Sequence, residues 1–186
     1  MERKEEGWMR YVLVSIAIAS LLTAFSAYLS SDLSTGGMND MTMATRRLLH
    51  ASNAYSASWT EASLSHFAGE MAEAWYEIAN YTGNTVDMMQ AQHWQRLADE
   101  KNEKGLAQYD LYLERMEQGF TPVFNKGVES LTKASQVTMP IIFFQISATL
   151  LVVTQVTRKK VVFVFSWGLI IIGLAYFLPI LFDYIA

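Results

Sequence analysis

The sequence predicts an all-α membrane protein: three transmembrane helices, with a long antiparallel, coiled-coil-like helical hairpin between the first and the second. Three observations predict this class. Residues 11–29, 139–157 and 161–179 contain no Asp, Glu, Lys, Arg or His. The 109 residues from Ser30 to Thr138 are polar by comparison. Inside that region small and aromatic residues recur alternately three and four apart, the spacing of a helix seam.

The first apolar stretch, residues 11–29, is 19 residues long. A helix needs about 20 apolar residues, rising 1.5 Å each, to cross roughly 30 Å of hydrocarbon. The first stretch fits, residues 139–157 are slightly short, and residues 161–185 are long enough to tilt. Helices are the form expected, because lipid offers backbone groups no hydrogen-bond partner. A cleaved signal peptide is the rival reading of the first stretch, with Ala24-Phe25-Ser26 as a small-residue site. Its apolar length and the acidic Glu2, Glu5 and Glu6 ahead of it favour a retained span.

Orientation follows from the basic flanks. Arg3, Lys4 and Arg10 lie in residues 1–10, and Arg158, Lys159 and Lys160 form the loop between the last two spans. Three crossings put these flanks on one side, which the positive-inside rule makes cytoplasmic. The hairpin and the C-terminus are then extracytoplasmic, and the expected location is the plasma membrane.

Residues 30–39 read as a loop, from Ser30, Ser31, Ser34, Thr35 and Gly36-Gly37, with Asn39 or Asp40 capping the next helix. The first hairpin arm has a small-residue seam through Met41, Ala44, Leu48, Ala51, Tyr55, Ser58, Ala62, Ser65, Gly69, Ala72, Tyr76 and Ala79. Asn80-Tyr81-Thr82-Gly83-Asn84 reads as the turn, placed near residues 80–85, with Asn84 or Thr85 as the next cap. The second arm carries large residues at Leu106, Tyr109, Leu113, Met116, Phe120 and Val123. These are expected to fill the space left by Ala51, Ala62, Gly69 and Ala72, with Tyr55, across an antiparallel pair. Gly119 and Pro122 predict a break, with Thr121 capping a new helix toward Thr138. Its Phe120, Val123, Phe124, Val128 and Leu131 are expected to pack on the hairpin, with the lipid headgroups as the alternative, and Pro140 to bend the chain again.

Composition removes several function classes. The chain has no cysteine, which excludes disulfides, zinc thiolate sites and thiol catalysis. Residues 30–138 hold 8 Lys and Arg against 14 Asp and Glu, a balance of −6, so the surface repels nucleic acid. His66, Glu70, Glu73 and Glu77 share a helix face, but the Glu-x-x-His pairs of di-iron bundles are absent. They read as a solvated face, and His50 and His93 as isolated side chains. No catalytic residue, cofactor or metal is expected, and the protein is not expected to be an enzyme.

The spans lack the ionisable groups of transporters and proton relays. Gln145 and Gln155 are their main polar side chains, and Ser20, Ala24, Gly168 and Gly173 permit close helix approach. Trp8 and Tyr184 suit the membrane interface, and Trp167 suits that role or packing. Asn80-Tyr81-Thr82 matches the glycosylation acceptor triplet at the hairpin tip.

The run Phe144-Gln145-Ile146-Ser147-Ala148, continuing through Thr157-Arg158-Lys159-Lys160 to Gly173, resembles a family of prokaryotic three-pass membrane proteins described only as a domain of unknown function. Trp75-Tyr76 is a second point of similarity, although Glu77-Ile78-Ala79 stands where the family usually has Gln-Ala-Lys. The resemblance implies the three-span layout and no activity, cofactor or catalytic residue.

Many hairpin aromatics, Tyr55, Trp59, Phe67, Trp75, Tyr81, Trp94, Tyr109 and Tyr112 among them, exceed what two helices bury. The leading expectation is therefore a structural or accessory membrane protein. Its hairpin would mediate homo-oligomerisation or assembly with a membrane protein partner, while lipid surrounds the spans. A sensor or signal-relay subunit and a small channel or transport subunit are the alternatives.

Overall fold

The computed structural model describes residues 2–185, and side chains from residue 7 to residue 185. The topology residues Arg3 and Lys4 lie outside the described side chains. The described backbone is helical almost throughout. Helix α1 is Glu2–Thr82, α2 is Thr85–Glu114, a single π-helical segment is Arg115–Phe120, α3 is Thr121–Thr157 and α4 is Lys160–Ile185. The chain forms two compact units, residues 1–40 with 126–186, and residues 41–125.

The first unit packs three helical segments around Ala19, Leu29, Leu33, Ala134, Val137, Phe144, Leu151, Ile170 and Phe177. In lipid such helices gain little from hiding apolar surface, so close packing and interhelical hydrogen bonds must hold them. Both are present. Gly173 lets α4 approach Phe144 so closely that a Cβ there would stand 2.6 Å from the ring. The Ser147 hydroxyl donates to the Ser166 carbonyl at 2.7 Å, and the Trp167 indole donates to the Ser15 hydroxyl at 3.1 Å. Ser30 donates across to the Ala134 carbonyl at 3.2 Å. Other hydroxyls, such as Thr23 and Thr154, return to carbonyls four residues back in their own helices.

Charged groups bracket the apolar part of this unit. Trp8 meets Phe163 at one end, 4.6 Å between ring centroids, beside Arg10 and the Arg158-Lys159 link. Arg158 closes that link with a positive φ of 57°, its amide donating to the Thr154 carbonyl at 2.8 Å. At the other end the Tyr184 hydroxyl donates to Asp32 at 2.8 Å, and Lys133 pairs with Asp183 and with Glu129. Hydrogen bonds that the ammonium donates to those two carboxylates, Asp183 first, hold Lys133 above its ordinary pKa. On the basic side the pair is therefore lost as pH rises through that raised value.

Residues 30–39 are helix, where a loop was expected. The glycine that signalled a turn is there for close approach instead. A Cβ on Gly37 would stand 2.8 Å from the Leu131 side chain and 3.1 Å from the Gly127 carbonyl. Leu33 is buried, and Thr35 returns its hydroxyl to the Ser31 carbonyl. Asp40 does not cap a new helix; it is buried and pairs with Lys126 at 3.3 Å. Tertiary packing outweighs the local turn preference.

The second unit is a helical hairpin. Its turn is the two residues Gly83 and Asn84, shorter than expected. Gly83 takes φ +62°, a conformation that glycine adopts without strain, and donates to the Ala79 carbonyl at 2.9 Å. Asn84 then caps α2, its side chain accepting from the Val86 amide at 3.0 Å, with Asp87 in the first turn.

The second arm is not broken at Gly119 and Pro122. Thr121 is helical, with φ −57° and ψ −47°, and does not act as an N-cap. Its amide and its hydroxyl both reach back five residues to the Met116 carbonyl, the hydroxyl at 2.9 Å. This wider turn carries the chain into Pro122, which has no amide proton to donate. Phe120 and Phe124 stack on each other in the hairpin unit, 5.2 Å apart, whereas Leu131 lies against Gly37 in the other unit and Val128 is exposed. Helix α3 continues through Pro140 to Thr157.

Candidate interaction surface on the hairpin

The hairpin seam is small on both sides. On α1 it buries Ala44, Ala51, Ala54, Ala68, Ala72 and Ala79, and on α2 it buries Ala91, Ala98 and Gly105. Ser58 donates to the Gly105 carbonyl at 2.9 Å and Ser65 to the Ala98 carbonyl at 2.8 Å. Lys101 pairs with Glu61 at 3.0 Å beside them. A Cβ on Gly105 would sit 3.5 Å from the Ser58 carbonyl and the Ala62 amide, so the two backbones approach closely.

That approach explains where the sequence-predicted packing residues go. Ala51 and Ala72 lie in the seam. Gly69 and Met116 are half-buried, and Ala62 is exposed. Tyr55, Leu106, Tyr109 and Leu113 are all exposed, Leu106 at 59%. Backbones this close leave no volume for large side chains between them, so those residues move to the flanks. One row of the α1 seam also runs a residue earlier than read, through Ala54 and Ala68 in place of Tyr55 and Gly69.

The displaced rings collect on one flank. Tyr55 lies 5.1 Å from Tyr112 and 6.4 Å from Trp59, centroid to centroid, and Tyr109 lies 5.9 Å from Tyr112. Tyr55, Ser58, Trp59, Ala62 and Tyr109 line a shallow cavity of about 280 Å³. Trp59 is 61% exposed. A second cluster sets Phe67 edge-on to Trp94 at 6.1 Å, with His93 beside Trp94. Chemically, such a face offers flat apolar area and hydroxyl or indole hydrogen-bonding groups, which is what aromatic interface anchors supply.

The remaining polar residues form local pairs. His66 lies 3.3 Å from Glu70 in the open, and among the described residues no three His, Cys, Asp or Glu converge on a metal-sized site. The Lys104 hydrogen bond at 2.6 Å lowers the pKa of Glu100 and raises that of Lys104, both solvent-exposed. Arg47 and Arg115 clasp the π-helical turn, donating to the Gly119 carbonyl at 2.9 Å and the His50 carbonyl at 2.8 Å. Asn80 is exposed next to Tyr81, the most exposed large ring at 94%.

The π-helical turn has a signal in the sequence that the pattern reading missed. Ala91, Ala98 and Gly105 repeat every seven residues, which continues to Tyr112, Gly119 and Lys126. The first buried residues beyond the turn are Gly127 and Ala134, one position later than that row. One extra residue has entered the row, and the π turn absorbs it.

These features define an all-helical protein with a hairpin unit and three helices long and apolar enough to cross a membrane, within Gly7–Thr82, Thr85–Thr157 and Lys160–Ile185. The chain belongs to the family described as Domain of unknown function (DUF4337), whose model matches residues 8–182. No curated protein matches it. No solved structure matches it either.

Proposed function

We propose that this is a structural or accessory protein of the plasma membrane, whose outward hairpin mediates assembly with itself or with a larger membrane complex. The N-terminal flank and the Arg158-Lys159-Lys160 loop face the cytoplasm in this reading, and the hairpin and C-terminus lie outside. The observation that carries it is the aromatic flank on which Tyr55, Trp59 and Tyr109 are exposed while touching one another or the half-buried Tyr112. Contiguous exposed rings of this kind favour burial by a partner. The protein carries no catalytic role in this reading, and its partners are lipid and protein, not nucleic acid.

Continuity of α1 gives the signal-relay alternative its support, since one unbroken helix belongs to both units. Such a relay would need a separate cytoplasmic partner for output.

The test is the triple variant Tyr55→Ser, Trp59→Ser, Tyr109→Ser. Central aromatic anchors each contribute about 2 kcal/mol or more to an interface. The variant is expected to shift the native-mass distribution of gently extracted protein toward lower mass, with its thermal midpoint little changed. An unchanged mass distribution would remove the hairpin flank from the assembly.

A further inference from the structure

We propose that the groove between α1 and α3 in the membrane unit docks a second copy of this chain, with the Gln145 carboxamide as the bond between copies. The groove measures about 510 Å³ and is lined by Ser20, Thr23, Ala24, Gln145, Ala148 and Thr149, together with Ala27. Its depth can be counted from the Ser30–Ala134 hydrogen bond. Eleven residues from that bond along each antiparallel helix, Gln145 stands level with Ala19, near the centre of residues 11–29.

Gln145 is exposed there, and its side chain has no hydrogen-bond partner among the described residues. The two threonines of the groove differ. Thr23 donates to the Ala19 carbonyl at 2.8 Å and Thr149 to the Gln145 carbonyl at 2.9 Å, so their hydroxyl protons are satisfied within their own helices. The carboxamide and the Ser20 hydroxyl are left wanting partners at mid-depth, where acyl chains supply neither donor nor acceptor. A carboxamide carries both. Two copies related by a twofold axis therefore satisfy each other through the same residue, at the same depth, with no other protein required. Ala24, Ala27 and Ala148 leave room for the two backbones to approach. This surface lies on the membrane unit and stands independently of the hairpin flank; it requires only that the three apolar helices lie in a bilayer.

The chain lacks cysteine, so single cysteines report proximity without background. Cysteine is introduced at Ser20, Ala24 or Ala148, and at Val164 and Ile171 on α4 as controls, which are 68% and 62% exposed. The full chain is oxidised in native membranes. Groove cysteines are expected to give a disulfide-linked species of twice the chain mass, and the α4 cysteines are not. Gln145→Leu is expected to lower that yield roughly tenfold, and Gln145→Asn to retain part of it. Leucine suits a lipid-facing position, so the variant chain inserts and folds as before. Equal crosslinking in Gln145→Leu, equal crosslinking at α4, or an adduct with a different protein each overturns the proposal. Replacing the hairpin rings with serine leaves the groove crosslink in place, which separates the failure of one surface from that of the other.

Discussion

Replacing Gly173 with leucine is expected to separate α4 from α3 and to destabilise the membrane unit by about 3 kcal/mol. A Cβ at this position falls 2.6 Å from Cε1 of Phe144, 3.0 Å from Cδ1 and 3.1 Å from Cζ. The ring has nowhere to go, because Phe144 is fully buried and set edge-on to Phe177 at 6.2 Å and 80°. Alanine alone forces a shift, and leucine adds atoms where none fit. The readout is the thermal midpoint of the detergent-solubilised chain. Gly168→Leu is the control, since nothing lies within 4 Å of a Cβ there, and its effect is expected to stay within about 0.5 kcal/mol. Adding Phe144→Ala to Gly173→Leu is expected to recover part of the loss, because the two side chains compete for one space.

Deleting Glu103 is expected to be far more damaging than deleting Gln118, although both remove one residue from the same arm. Loss of Glu103 turns Ala91 and Ala98 about 100° away from Gly105 on the helix surface. The row of small residues that lets the arms approach is then split, at a cost on the order of 3 kcal/mol. Loss of Gln118 falls inside the π-helical turn, Arg115–Phe120, and removes the extra residue that displaces Gly127 and Ala134 from the sevenfold row. The helix can close to ordinary α geometry with both buried rows kept, so stability should stay within about 1 kcal/mol of the parent. Helical content by circular dichroism and the thermal midpoint distinguish the two deletions. Comparable damage from both would mean that the π turn does more than correct register.

The helical class, the apolar stretches and the hairpin turn were legible because each rests on a local property. Nineteen uncharged residues, a Gly83-Asn84 pair and a three-four repeat announce themselves without reference to the rest of the chain. Residues 30–39 were misread because Gly36-Gly37 has two meanings. Glycine frees the backbone for a turn, and it also removes the Cβ that would block a neighbouring helix; only the position of Leu131 chooses between them. The hairpin packing residues illustrate a related difficulty. Periodicity fixes which positions share a face, but not how closely two backbones approach, and that distance sends Leu106, Tyr109 and Leu113 outward. The Gln145 groove was beyond sequence reading for the same reason. A glutamine in an apolar run reads as an interhelical hydrogen-bonding group, and its lack of an intrachain partner appears only once α1, α3 and α4 are in place.

The central claim is that three apolar helices cross the membrane and hold the hairpin outside the cell. It is tested most directly by a cysteine at Gly83, the hairpin tip, and another at Lys159, in the link between α3 and α4, each in the otherwise cysteine-free chain. Intact cells are treated with a membrane-impermeant maleimide. The account predicts that the residue-83 thiol is labelled from outside, and that the residue-159 thiol reacts only after the membrane is opened. Labelling of residue 83 only after opening, or a chain that remains in solution without detergent, would contradict it.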